Sequence, residues 1–262
     1  MGSKKNSMCE LLGMSANVPT DIIFSFTGLV QRGGMTGPHK DGWGITFYEG
    51  KGCRTFKDPA PSSNSKIANL VMEYPIKSCS VISHIRQANR GGIKLENTHP
   101  FIREFWGRNI TFAHNGQLSG YKSLPLSDFI PIGETDSEYA FCWIMGKLKE
   151  KYPNKPKNWQ SVFRYTAKLC KQLDELGVFN ALITDGIHLL AYCSNNLTWI
   201  TRKAPFGEAN LIDKDVSVNF SEVTTDNDIV TVIATRPLTD NECWTTLEPK
   251  QWVLFKDGVK LN

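Results

Sequence analysis

Phe112-Ala113-His114-Asn115-Gly116 is a short apolar run that breaks into a polar pair. Taken alone it predicts a strand, Ile110 to Ala113, closing in an Asn-Gly turn, because those two residues best tolerate the left-handed backbone of a tight turn. Three other stretches give it chemical meaning: Met8-Cys9-Glu10, Ser83-His84-Ile85-Arg86 and Thr135-Asp136-Ser137-Glu138. Together they supply a thiol, a guanidinium, a pair of amide donors and a carboxylate.

Working outward, Cys9 to Met14 predicts a short strand, and Ile22 to Leu29 a helix or an irregular core segment. Gln31 to Trp43 carries Gly33, Gly34, Gly37 and Gly42, so it is a loop that turns sharply or lets a ligand approach the backbone. Trp43 to Glu49 and Cys53 to Lys57 form a hairpin across Gly50-Lys51-Gly52. Ile67, Leu70 and Val71 lie on one helical face within Ser65 to Tyr74, and Cys79 to Ile85 is an apolar strand. Thr135-x-x-Glu138 reads as a capping box opening a helix that Pro153 and Pro156 stop, and Trp159 to Leu176 is a second amphipathic helix. Phe179 to Thr184 and His188 to Cys193 flank Asp185-Gly186 as a hairpin, with further strands at Leu197 to Thr201, Ile229 to Ala234 and Trp252 to Phe255. Strand pairs on either side of a central helical pair predict an α+β domain with two sheets and helices on their outer faces.

The 262 residues, 40% hydrophobic and 11% aromatic, are enough for a large buried core. No linker, repeat or low-complexity tract divides 8–262, which is expected to be one domain. Residues 1–7 read as a leader or expression remnant. The charge of +4 is scattered, without a basic helix or run, which argues against nucleic acid as a partner. No apolar stretch approaches the roughly 20 residues needed to span a bilayer, and no signal peptide is evident. Seven cysteines at irregular spacings, mostly inside apolar runs, read as buried thiols in a reducing cytoplasm, and no Cys-x-x-Cys pair marks a zinc ribbon.

Each candidate residue has a plain reading beside a functional one. Cys9 is either a buried thiol at the start of a strand or, if Met8 is trimmed, a nucleophile that carries its own base. A thiol of pKa about 8.5 can pass its proton to an α-amine of about 7.7–8.0. Arg86 either pairs with an internal carboxylate or clamps a substrate carboxylate with its planar fork. Asn115-Gly116 is either a turn or two donors, side-chain amide and backbone N–H, for a developing oxyanion. Asp136 either complements a helix dipole or binds an ammonium. An Arg for α-carboxylate and an Asp for α-ammonium would specify a free amino-acid head group, so the set suits cleavage of an amide carried by an amino acid. His84, His99 and His114 with Asp136 offer a metal-dependent alternative, but no pair has the spacing of a ligand motif. Hydrogen-bonded supports are their commoner role.

Met8-Cys9-Glu10-Leu11-Leu12-Gly13, Asp41-Gly42-Trp43-Gly44, His84-Ile85-Arg86, Glu96-Asn97-Thr98-His99-Pro100-Phe101, His114-Asn115-Gly116 and Glu134-Thr135-Asp136-Ser137-Glu138 occur in that order. With these motifs the chain resembles the class II glutamine amidotransferases, N-terminal nucleophile hydrolases, and among them the stand-alone YafJ-type members. The resemblance runs from Met8 almost to the C-terminus. It implies a four-layer αββα sandwich of two antiparallel sheets. By matching position, Cys9 is the nucleophile, and Asn115 with Gly116 forms the oxyanion hole. Arg86 and Asp136 hold the α-carboxylate and α-amine of a γ-glutamyl group, Gly42 lies beside the substrate, and His84 and His99 belong to the same binding site. No metal or cofactor is implied.

The reaction implied is hydrolysis of a γ-amide through a γ-glutamyl thioester, releasing ammonia or an amine. A glutaminase subunit passing ammonia to a separate synthase or acceptor chain is the second reading, and a glutamine-binding sensor a third. Three departures are expected to matter. Met1 to Ser7, if retained, turns the Cys9 amine into an amide; Gln87 and Asn89 stand where synthase-linked relatives usually carry Trp and Thr; no synthase domain follows.

Overall fold

The computed structural model describes residues 9–88 and 91–262. The expectations placed on Met1 to Met8 and on Asn89 therefore lie outside the described residues. The elements are β1 (Glu10–Thr20), α1 (Ile23–Arg32), β2 (Trp43–Glu49), β3 (Gly52–Asp58), α2 (Lys66–Glu73), β4 (Ser78–Ile85), β5 (Phe101–Phe105), β6 (Arg108–Leu118), α3 (Asp136–Lys151), α4 (Trp159–Asp174), β7 (Gly177–Thr184) and β8 (His188–Tyr192). Then follow β9 (Thr198–Lys203), β10 (Glu208–Asn210), β11 (Ser217–Asn219), β12 (Ile229–Ala234), β13 (Thr245–Thr246), β14 (Trp252–Lys256) and β15 (Val259–Lys260).

Two antiparallel sheets hold most of the strands, one ordered β13-β9-β12-β1-β4-β2-β3 and the other β15-β14-β8-β7-β6-β5. The two-residue period of a strand sends alternate side chains to opposite faces, and both sheets use both faces. Leu11, Ile82 and Ile233 of the first sheet meet Ala113, Leu182, Leu189, Ala191, Val253 and Phe255 of the second in the central core. Their neighbours Leu12, Met14, Val81 and Val232 face outward onto Phe26, Leu29 and Val30 of α1 and Ala68 and Val71 of α2. On the far side Phe112, Ile183, Leu190 and Leu254 pack on Phe141, Ile144 and Leu148 of α3 and Phe163 and Leu173 of α4. Three cores between four layers give the αββα sandwich of the N-terminal nucleophile hydrolase type, as expected. Among the described residues no helix is long and apolar enough to cross a membrane.

The hairpin β2–β3 and the helices α2, α3 and α4 form close to the expected bounds. The Thr135 cap holds, its hydroxyl accepting from Glu138 N at 3.1 Å. The Glu138 carboxylate, however, accepts from Gly133 N (2.7 Å) and Arg103 (2.6 Å) instead of closing the box. The expected Asn115-Gly116 turn is absent. Strand β6 runs straight through it to Leu118, pairing Asn115 with Asn180 and Gly116 with Phe179 of β7. Glycine is needed at 116 for proximity: a Cβ there would collide with the Val178 carbonyl and the His114 ring. Because β1 and β4 pair antiparallel with Glu10 opposite Ile85, the first residue before β1 and the first after β4 share one end of the sandwich. Those residues are Cys9 and Arg86.

Candidate active site

An open cleft lies at that end, and Cys9, Arg86, His99, Gly116 and Asp136 are among the residues that line it. Residues drawn from five parts of the chain, up to 127 positions apart in sequence (136 − 9), thus share one cleft.

The Cys9 thiol lies between two main-chain groups of Gln87. It donates to the Gln87 carbonyl (3.4 Å) and accepts from the Gln87 N–H (3.2 Å). Cys9 is partly exposed, but the protein packed around its sulfur pushes the thiol up to about 11, with the Gln87 hydrogen bond and the Arg86 charge pulling the other way. At pH 7 the thiolate is then roughly one part in 10⁴, so this cysteine needs a base. The residue after it is a buried carboxylate. Glu10 is held by Arg32 (3.2 Å) and Arg236 (3.0 Å), and Arg32 also bonds Asp213 (2.7 Å) and the Pro237 carbonyl (2.6 Å). That network ties the start of β1 to α1 and to the segment after β12.

Arg86 is 3% exposed, and its guanidinium donates to the carbonyls of Gly92 (3.0 Å), Gly91 (3.1 Å) and Asp41 (3.4 Å). Its main chain continues the sheet pairing, with Arg86 N donating to Gly42 O at 2.7 Å. Gly42 does not line the cleft. It stands one step behind, at φ +114°, where a Cβ would crowd Asp58 O and Thr98 Oγ1 at 3.2 Å. Left-handed backbone of this kind favours glycine.

Asp136 opens α3 and is 7% exposed. One carboxylate oxygen accepts from Leu118 N (2.7 Å) and the other from Ser137 N (2.9 Å). Each oxygen retains a lone pair for a further donor. Asn97, fully buried, joins the two flanking loops: its amide donates to Gly92 O (3.1 Å) and accepts from Glu134 N (2.8 Å). One side chain therefore spans from the loop that cradles Arg86 to the loop that precedes Asp136.

Asn115 is fully buried beneath the cleft. Its Nδ2 donates to Thr235 Oγ1 at 3.4 Å, and its Oδ1 has no partner among the described residues. Its carbonyl accepts from Asn180 at 3.1 Å. His114 is locked by Ser137 Oγ on Nδ1 (2.8 Å) and the Val178 carbonyl on Nε2 (3.1 Å). A carbonyl only accepts, so Nε2 carries the proton, and Nδ1 of the neutral ring accepts from Ser137. Burial holds His114 below the usual histidine range, while the Asp136 charge opposes it. His84 and His99 pack with ring centroids 4.2 Å apart and planes tilted by 35°, and neither ring has a hydrogen-bond partner of ordinary geometry among the described residues. Burial, reinforced by neighbouring positive groups including Arg86, keeps both well below the usual range. The histidines do not converge as a ligand set: among the described residues no group of three or more His, Cys, Asp or Glu is arranged to hold a metal ion.

The candidate residues Cys9, Arg86, Asn115, Gly116, Asp136, Gly42, His84, His99 and His114 are therefore in or directly behind one cleft. Sequence reasoning missed Gln87 main chain, Asn97, Ser137, Thr235 and the Glu10–Arg32–Arg236 network. A charged Glu10 beside the apolar run Leu11 to Met14 was the one visible sign that a buried partner was required.

A family model described as class-II glutamine amidotransferases matches residues 8–262. The chain is 69% identical over 254 residues to YafJ of Escherichia coli K12, covering 97% of this chain and 100% of that one. It is also similar to the 2.0 Å crystal structure of a predicted glutamine amidotransferase from Pseudomonas aeruginosa PA01, at 50% identity and TM-score 0.78, covering 97% of this chain and 100% of that one. The glutamine phosphoribosylpyrophosphate amidotransferase of Bacillus subtilis shares the fold at 14% identity and TM-score 0.54, covering 97% of this chain and 48% of that chain.

Proposed function

The chain belongs to the class II glutamine amidotransferases, and we propose that it hydrolyses the γ-amide of glutamine or of a γ-glutamyl compound, with Cys9 as nucleophile. The observation that carries the reading is that Cys9, Arg86, Gly116 and Asp136 line one cleft. Arg86 takes the α-carboxylate and Asp136 the α-ammonium, which leaves the γ-carbonyl to reach the thiol. Gly42 holds the Arg86 main chain, and His99 with His84 behind it forms a neutral wall.

The thiol proton passes to the Cys9 α-amine once residues 1–8 are removed. An amine of pKa about 7.7–8.0 suits this better than a thiol near 11 ionising alone. Sulfur attacks Cδ, and the oxyanion is met by the Gly116 N–H and the Asn115 amide. The C–N bond breaks as the amine returns its proton to the leaving nitrogen, giving ammonia or an amine and a γ-glutamyl thioester. Water, deprotonated by the same amine, then releases glutamate and the thiol. With Met8 attached the Cys9 nitrogen is an amide and the base is lost.

A second reading, ammonia passed to a separate acceptor chain, is favoured by the exposed Ile93, Leu95, Ile130 and Ile132 on the segments flanking Asn97 and Gly133. Such apolar side chains suit a protein contact.

The test is intact mass and N-terminal sequencing of the chain beginning at Cys9, after exposure to diazo-oxo-norleucine. One adduct on Cys9, lost in Cys9→Ala, is expected, with glutamate formed from glutamine. No adduct on a chain whose Cys9 amine is free would sink the hydrolase reading and favour a glutamine-binding sensor.

A further inference from the structure

Thr235 follows β12 and is 3% exposed. Its hydroxyl joins the two sheets beneath the cleft, accepting from Leu11 N of β1 at 2.8 Å and standing 3.4 Å from the Asn115 amide of β6. Its own N–H donates to the Leu11 carbonyl at 3.2 Å. Thr235 is therefore tied by two hydrogen bonds, one through its hydroxyl and one through its main-chain N–H, to Leu11, two positions after Cys9.

The hydrogen-bond count at this point is unbalanced. As assigned, Asn115 Nδ2 donates to Thr235, so the hydroxyl accepts twice and donates to no described residue, while buried Asn115 Oδ1 is left without a donor. Amide oxygen and nitrogen are told apart by their partners. Turning the amide by 180° places Oδ1 toward Thr235, where the hydroxyl donates to it and still accepts from Leu11. The group without a partner then becomes Nδ2, a donor. A buried donor awaiting an acceptor is what an oxyanion site requires.

We propose that Thr235 is a positioning residue that sets the Asn115 amide with Nδ2 toward the reacting carbonyl, and links that donor to the strand carrying the nucleophile. The inference rests on Asn115 being an oxyanion donor. The 3.4 Å separation is slack, as catalytic hydrogen bonds often are before substrate binds. Loss of the hydroxyl frees the amide to turn either way and leaves Leu11 N without its acceptor.

The experiment compares Thr235→Val, Thr235→Ala, Thr235→Ser and Asn115→Ala in the chain beginning at Cys9, measuring glutamine hydrolysis and alkylation of Cys9 by iodoacetamide. Alkylation at carbon generates no oxyanion and reports the thiol alone. Loss of one oxyanion donor costs about 10²–10³ in rate. Thr235→Val and Thr235→Ala are expected to lose roughly tenfold to a hundredfold in kcat, part of that figure. KM and alkylation should stay within about twofold of the parent, and Thr235→Ser should restore most of kcat, because only hydroxyl-dependent transition-state contacts are changed. A normal kcat in both Thr235→Val and Thr235→Ala, with Asn115→Ala impaired, overturns the assignment to Thr235. A parallel fall in alkylation and kcat overturns it as well, since the defect would then be in the thiol. A normal kcat in Asn115→Ala removes the oxyanion reading itself.

Discussion

His84 and His99, together with His114, make stability depend on acid in a window above the one the perturbed carboxyls occupy. His84 and His99 are buried, pack with ring centroids 4.2 Å apart and are held well below the usual histidine range by burial. In the unfolded chain they titrate near 6.5. Below that pH the unfolded state binds protons that the folded state refuses, so stability present above pH 6.5 is lost as pH falls. For a ring that stays neutral in the folded state, going from pH 7.5 to 5.5 costs RT ln 10, about 1.4 kcal/mol per histidine, or roughly 3 kcal/mol for the pair. His114, whose pKa is also lowered, acts in the same direction. The carboxyls of Asp185 and Glu242 have lowered pKa values, so their stabilisation is lost only below the usual carboxylate range. Lys57, lowered to about 8, acts above the window.

The assay is urea unfolding followed by fluorescence at pH 7.5, 6.5 and 5.5, on the parent and on His99→Phe. Phenylalanine keeps a ring against His84 and cannot be charged. The parent should lose at least about 3 kcal/mol, and His99→Phe should lose about 1.4 kcal/mol less across the same interval. A parent whose stability is flat to within about 0.5 kcal/mol, or a His99→Phe variant with an undiminished loss, would refute the linkage.

Gly116→Ala places a methyl against the Val178 carbonyl, a backbone atom that cannot move aside without disturbing the β6–β7 ladder. A loss of about 1–3 kcal/mol in a urea titration is expected, together with collapse of glutamine hydrolysis; a silent substitution would contradict the close approach. Asn97→Ala removes the strut between Gly92 and Glu134 and loosens both ends of the proposed amino-acid head-group site. Since those contacts are made alike in ground and transition states, KM for glutamine should rise about tenfold with kcat nearly constant. A fall in kcat at unchanged KM would place Asn97 elsewhere in the reaction.

Local chemistry in the sequence determined much of the outline. The Gly50-Lys51-Gly52 turn, the Thr135 cap, the prolines after α3 and the apolar run ending at His84 and Arg86 all act over a few residues, and each element formed near its expected place. The candidate site was legible as a set of functional groups suited to a clamp, an ammonium partner and a nucleophile, and the fold brings Cys9, Arg86, Gly116 and Asp136 to one cleft. Asn115-Gly116 was misread for a physical reason. Its turn propensity is local, whereas the partner that keeps it in a strand, β7, begins 61 residues after Gly116 (177 − 116). The same holds for Glu138, drawn to Arg103, and for Thr235, which meets Leu11 across 224 positions. Covalent neighbours decide φ, ψ and periodicity. Only the packed sandwich decides which buried polar atoms find partners, and so which thiol lacks a base, which amide keeps a free group and which histidines stay neutral.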